Sequence, residues 1–236
     1  MAQFNPHFLV ISLGNTGRYF ETLHSAGHFA LLSLQKAIVC GPSPESQPPF
    51  APQQLGKQKC KGSSGNKYTL LQSPTLMNVS GRFVANAWAD ALKSNKELQQ
   101  PRDMCLVVVH DDLEEDFGAV GVRKWKASHR GHNGIKSINS ALNMNSFPGA
   151  RWSRIWVGID RPESRREDVV SNYVLSRLSA HQKGIIDSQV GLKVLACLEQ
   201  LEMNWRSDFE AQKSMPAPPP KVQAKPKSKP KPQSAV

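Results

Sequence analysis

The sequence predicts an α/β fold gathered into a single domain, and three observations carry that prediction. Two apolar runs, Phe8-Leu9-Val10-Ile11-Ser12-Leu13 and Leu106-Val107-Val108-Val109, have the near-continuous hydrophobicity of strands buried on both faces. Both stop abruptly at polar residues, and apolar residues at helical spacing resume just beyond the turns that follow. The chain of 236 residues is long enough for one sizeable core and too short for two full domains.

The first strand, residues 8–13, runs into Gly14-Asn15-Thr16-Gly17, where the glycines permit a tight reversal and leave Asn15 at the strand's end. Ala26, Phe29, Ala30 and Leu34 then form a helical stripe over residues 23–35, which puts His24 on that helix's first turn. Residues 40–67 are crowded with Pro, Ser, Gln, Gly and Lys and read as a long flexible insertion without chemistry. A short strand over 68–72 delivers Thr75-Leu76-Met77-Asn78, and Phe83 or Val84, Ala87, Trp88 and Leu92 extend a helix to about residue 94. Asn78 at this helix start reads equally as an N-cap or as a contact to a ligand.

The central strand ends in His110-Asp111-Asp112, and ligand crevices in open α/β sheets form where strands end, so Asp111 is expected at the mouth of a site. A loop through Phe117-Gly118 leads to a strand-like stretch with Val120, Val122 and Trp125, then to the polar turn Ser128-His129-Arg130-Gly131-His132-Asn133-Gly134. Ile135, Ile138 and Leu142 mark the next helix, so a helix beginning with His132 and Asn133 should converge on the cleft of Asp111. Ile155, Val157 and Ile159 alternate as a further strand, and residues 167–178 and 181–209 read as two helices. From residue 213 onward the chain is Pro- and Lys-rich and is expected to be disordered.

Charge narrows the class of partner. The formal net charge is +11; six Lys between Lys213 and Lys231 supply +6, leaving +5 on the remainder. A basic globular part suits an anionic partner, nucleic acid first, against the plainer reading of Lys kept for solubility. The interleaved Arg123, Lys124, Trp125, Lys126 and Arg130 fit phosphate neutralisation and base stacking, or a solvated strand face. Cys40, Cys60, Cys105 and Cys197 form no regular framework, which fits a reducing compartment. No apolar run is long enough to span a bilayer and no signal peptide is visible; a cytoplasmic protein is expected, with the mitochondrion left open.

The candidate chemistry gathers His24, Asp111, Asn15, Asn78 and Asn133, each at an element junction. There is no Gly-x-Ser-x-Gly elbow, no Gly-x-Gly-x-x-Gly or Walker pattern, and no cofactor or metal is expected. A neutral imidazole beside a carboxylate suits general-base activation of water, the carboxylate fixing the tautomer and stabilising the imidazolium. Asn side chains both donate and accept, so three of them can read a peptide backbone regardless of its side chains.

His110-Asp111-Asp112-Leu113 followed by Gly131-His132-Asn133-Gly134 resembles the core signature of the bacterial-type peptidyl-tRNA hydrolases. Three further blocks match in order: Leu13-Gly14-Asn15-Thr16-Gly17 with Tyr19 and His24-Ser25-Ala26-Gly27; Thr75-Leu76-Met77-Asn78-Val79-Ser80-Gly81; and Gly158-Ile159-Asp160-Arg161-Pro162 with Tyr173-Val174-Leu175. The resemblance implies a three-layer α/β domain, a twisted mixed β-sheet flanked by helices. It also implies a metal-independent hydrolase acting on peptidyl-tRNA, with His24 as catalytic base, Asp111 its support and Asn15 discriminating the acylated amide; a monomer is expected. Asn78, His132 and Asn133 would hold the peptide and the attacking water, and Tyr19 and Met77 would pack against the substrate's end. Such a substrate would need a cationic rim, for which Arg123, Lys124, Lys126 and Arg130 are the candidates by charge and spacing rather than by the resemblance. Thr16 stands for the family's proline, Leu23-His24-Ser25 for its Arg-His-Asn, and Ala127-Ser128-His129-Arg130-Gly131 for its Gly-rich turn with three expected glycines replaced; these departures spare the base, its carboxylate and the three Asn. The rival reading is a noncatalytic RNA-binding protein on the same fold.

Overall fold

The computed structural model describes residues 4–94 and 103–214. Strand β1 (His7–Ser12) lies beside β5 (Met104–Asp112) and β4 (Tyr68–Gln72), all parallel, and β7 (Arg151–Gly158) continues the parallel set. The edges are antiparallel: β6 (Val120–Lys124) closes one side, and β3 (Gln58–Ser64) and β2 (Ala51–Leu55) the other. The result is a mixed seven-stranded sheet in the order β2-β3-β4-β1-β5-β7-β6.

The two apolar runs are the sheet's two central strands, and their residues alternate between two cores. Phe8 and Val10 with Cys105, Val107 and Val109 face helices α1 (Ala26–Cys40) and α6 (Gly191–Ser214). Leu9 and Ile11 with Leu106 and Val108 face α2 (Ser80–Ser94) and α3 (Asn133–Ala141). A strand covered on both sides has no reason to alternate polar and apolar, which is why these runs are continuous. Three layers follow, as expected. Among the described residues no helix is long and apolar enough to cross a membrane.

Three expectations need correcting. Residues 40–67 are not a loose insertion: they carry the β2–β3 hairpin, which pairs with β4. Few apolar side chains are buried there; backbone pairing holds the hairpin, aided by Gln47, whose Nε2 donates to the carbonyls of Ser63 and Tyr68 and to the Ser63 hydroxyl. The helix expected over 167–178 is shorter, α4 (Glu167–Val174). The last expected helix is interrupted: α5 (Ala180–Ile185) passes through one π turn, Ile186–Val190, into α6. Ser33 of α1 inserts at that point, its hydroxyl donating to the Asp187 carbonyl and accepting from the Gly191 amide. Only glycine fits, since a Cβ at Gly191 would lie 2.3 Å from the Ser33 carbonyl oxygen. The Lys- and Pro-rich tail expected from residue 213 lies, beyond Ser214, outside the described residues.

Candidate active site

The site forms where β1 and β5 end. His24 lies in a 3-10 turn, Leu23–Ser25, that feeds directly into α1. That turn is drawn tight against the sheet: a Cβ on Gly27 would meet the Leu13 and Val109 carbonyls at 2.6 and 2.8 Å, so only glycine lets α1 begin there. His132 caps α3 from the opposite core layer, its Nδ1 accepting the amides of Gly134 (3.1 Å) and Ile135 (3.3 Å). Imidazole thus does the work usually done by Ser, Asp or Asn at a helix start.

These partners fix the proton positions. His132 Nδ1 is an acceptor, so the proton sits on Nε2, which donates to Asp111 Oδ1 at 3.0 Å. His24 Nδ1 donates to Asp111 Oδ2 at 2.8 Å. One buried carboxylate, 2% exposed, therefore holds two imidazoles, and the rings lie 5.2 Å apart. The arrangement leaves His24 Nε2 with its lone pair.

Electrostatics follow from the same contacts. Burial alone would lower the His24 pKa, but the charge and hydrogen bond of Asp111 outweigh it and the pKa is raised above 6.5. Burial would raise that of Asp111, but His24 and His132 hold it well below the usual carboxylate range. The neighbouring His110 is different: burial pushes its pKa down to about 3, its Nδ1 donates to the Asp111 carbonyl, and its Nε2 has no hydrogen-bond partner among the described residues.

Asn15 is held from two sides. Its backbone amide donates to Ser25 Oγ at 2.9 Å, and its side-chain Oδ1 accepts the Met77 amide at 3.0 Å. The first turn thus ties itself to the 3-10 turn Met77–Val79 that precedes α2, and that turn packs on α3. Met77 is buried, Asn78 and Asn133 are exposed, and Tyr19 is half-buried. Leu76 and Val79 flank Asn78 with exposed apolar surface.

The basic set divides. Lys124 and Lys126 are exposed. Arg123 and Arg130 are ion-paired with Asp112 and Glu115. Trp125 is buried in the α2–α3 core against Trp152, 5.0 Å between ring centroids, and is not a stacking platform as the sequence suggested. Sequence reading also missed Arg154, buried in β7, which donates to the carbonyls of Lys124 and Ala127 and so fastens the loop ahead of the His132 turn. A charged residue in an apolar strand was the available signal.

His28 was passed over too. It follows His24 by four residues, a spacing that on one helix face can hold a metal. Here the two rings have different partners: His28 Nδ1 pairs with Ser12 Oγ at 2.8 Å, inside the fold. Among the described residues, His24, Asp111 and His132 are close enough to receive a cation, their donor atoms lying within 4.8 Å of one another. A cation bound there would have to displace the two protons that His24 and His132 now donate to Asp111.

Residues 9–218 match the family model of the peptidyl-tRNA hydrolases. A Clostridium botulinum protein named peptidyl-tRNA hydrolase is 35% identical over 203 residues, covering 83% of this chain and 90% of its own. A Schizosaccharomyces pombe protein named probable peptidyl-tRNA hydrolase is 32% identical over 197 residues, covering 83% and 84%. The crystal structure of peptidyl-tRNA hydrolase from Acinetobacter baumannii shares the fold, with a TM-score of 0.56 at 24% identity over 87% of this chain and 96% of that one. The chain belongs to the peptidyl-tRNA hydrolase family.

Proposed function

We propose that this chain hydrolyses the ester joining a peptide, or an N-blocked amino acid, to the terminal ribose of a tRNA, returning the tRNA to use. The observation that carries the reading is the Asp111 carboxylate shared by His24 and His132. With Nδ1–H committed to Asp111, His24 Nε2 takes a proton from water as the water oxygen attacks the ester carbonyl. Asp111 steadies the imidazolium, and that proton passes to the ribose oxygen as the ester bond breaks. His132 keeps the carboxylate oriented by binding its second oxygen.

The amides account for selectivity. Asn15 Oδ1 already accepts the Met77 amide, which fixes the side chain and leaves its Nδ2–H donors for a substrate. A peptide carbonyl accepts such a donor; a free α-ammonium, which only donates, does not. Asn78 and Asn133, exposed at the starts of the α2 and α3 segments, are read as holding the peptide and the attacking water, with Tyr19 and Met77 against the substrate's end. Lys124 and Lys126 are exposed cations available to RNA phosphates, beside the ion-paired Arg123 and Arg130. The reading carries a monomer serving translation, in the cytoplasm first, built from a domain over 1–212 and a basic tail.

The test is release of N-acetylated amino acid from N-acetyl-aminoacyl-tRNA, beside unblocked aminoacyl-tRNA, by wild type and His24→Ala. Cleavage of the blocked substrate only, lost by about 10²- to 10⁴-fold in the variant with tRNA affinity kept within a few-fold, is expected. Tight tRNA binding by a wild type that cuts neither ester would replace the hydrolase with a noncatalytic RNA-binding protein.

A further inference from the structure

Arg123 and Arg130 come from different elements, β6 and the turn before α3, yet converge on one atom. Arg123 Nη2 and Arg130 Nη1 both donate to Glu115 Oε1, at 3.0 and 2.9 Å. The same two guanidinium groups share Asp112 Oδ2: Arg123 hydrogen-bonds it, and Arg130 lies 3.7 Å away. Two like charges meet at one point only where an anion stands between them.

The two carboxylates are not equivalent. Asp112 is the last residue of β5, 4% exposed, and its other oxygen accepts the Glu114 amide at 3.0 Å, so the strand fixes it. Glu115 sits in the β5–β6 loop at 28% exposure, and its partner Arg130 is 43% exposed. An anion arriving from solvent can displace Glu115 but not Asp112. The backbone adds a second sign. Arg130 adopts φ 46°, a left-handed conformation in which a side chain costs about 1 kcal/mol over glycine. The turn holds an arginine there all the same.

We infer that Arg123 and Arg130 form a cradle for a backbone phosphate of the RNA substrate, and that Glu115 fills this cradle as a stand-in until the RNA arrives. The inference rests on the tRNA reading above. A phosphodiester carries one negative charge and presents acceptor oxygens that two guanidinium groups can share, as they now share a carboxylate. The exchange therefore keeps the local charge balanced and needs no bond or proton to move. Salt weakens the phosphate contact and the internal pair together, so the wild type binds RNA with a muted salt dependence.

Glu115→Gln tests this. The dissociation constant for deacylated tRNA is measured across a salt series, with N-acetyl-aminoacyl-tRNA turnover in parallel. The variant should bind tRNA about 2- to 5-fold more tightly, the worth of one exposed ion pair, with a log–log salt slope steeper by about 0.7 to 0.9. Adding Arg130→Ala should erase the gain. Equal or weaker binding by Glu115→Gln would make Glu115 a brace for the turn and overturn the inference. So would a gain that survives in the double variant, because the loss of one negative charge would then act without the cradle. A wild type that binds no tRNA overturns this inference and the tRNA reading together, whereas one that binds tRNA and cuts no ester overturns only the hydrolase.

Discussion

His24 and His28 stand four residues apart where β1 gives way to α1, and the fold treats them in opposite ways. His24 keeps one face toward the cleft and pairs with Asp111, which raises its pKa although burial opposes this. His28 lies wholly inside, pairs with the Ser12 hydroxyl and stacks on the Phe20 ring, and burial lowers its pKa to about 4. The same side chain is thus a base in one place and a neutral packing group in the other. What separates them is a direct hydrogen bond to one carboxylate, since both rings are desolvated and the charge of Asp111 reaches His28 without a hydrogen bond to it.

Removing that carboxylate's charge is the strongest way to break the comparison. In Asp111→Asn a single amide oxygen faces two N–H donors, those of His24 and His132, so one imidazole must lose its partner or turn over. Turnover should fall by about 10⁴-fold, the scale set by losing the productive tautomer. Burial would then act on His24 without the carboxylate's charge to outweigh it, and would lower its pKa as it does at His28. The acid limb of the residual rate profile should therefore move to lower pH than in wild type. A limb that stays in place would mean that Asp111 does not set the basicity of His24.

His28→Ala probes the other half. It opens a space beside Gly14 and strands the Ser12 hydroxyl, so stability should drop by about 2–4 kcal/mol in chemical denaturation. Activity per folded molecule should hold, because His28 touches none of the reacting groups. A large loss of turnover with little loss of stability would move His28 into the catalytic set.

Acid makes the two histidines oppose each other. His28 has a lowered folded pKa, so its contribution is present above the unfolded value near 6.5 and is lost as pH falls toward about 4; His110 behaves alike with its value near 3. His28 alone accounts for ~3 kcal/mol of that loss. His24 has a raised folded pKa, so its contribution is full below 6.5 and lost as pH rises through the folded value. Wild type should therefore lose stability between pH 6.5 and 4, and His28→Ala, though weaker throughout, should show a shallower decline. Equal slopes would mean that His28 does not titrate on unfolding.

The contrast also explains what could be read from the chain beforehand. β1 and β5 were legible because strands covered on both faces must be apolar throughout, and Asp111 because it interrupts such a run. The β2–β3 hairpin was not, since backbone pairing holds it and backbone pairing leaves no mark in composition. His24 was legible by its place at a junction. His132 as a helix cap and Glu115 as the partner of two arginines were not, because those roles depend on which atoms meet across separate layers. His28 shows the limit of spacing arguments. Four residues place two rings on one face only if the helix has already begun at the first, and here His24 precedes α1.

The smallest expected effect is that of a chelator, and it bears on the same pair of nitrogens. His24, Asp111 and His132 are close enough to receive a divalent cation, so geometry alone does not decide between a base and a metal centre. The hydrogen bonds do separate the two. In the arrangement described, both imidazole nitrogens that face Asp111 are donors, and the remaining nitrogen of His132 is taken by the cap of α3. A cation would have to strip both protons, so its binding would weaken steeply as pH falls and would leave the Asp111 oxygens on the metal rather than on His24. EDTA should therefore change turnover less than about 2-fold. Added zinc should inhibit, and more strongly at higher pH, because deprotonated imidazole is what it would capture. Abolition of activity by EDTA with recovery on zinc would instead make a metal-bound water the nucleophile, and the difference between His24 and His28 would then be one of ligation rather than basicity.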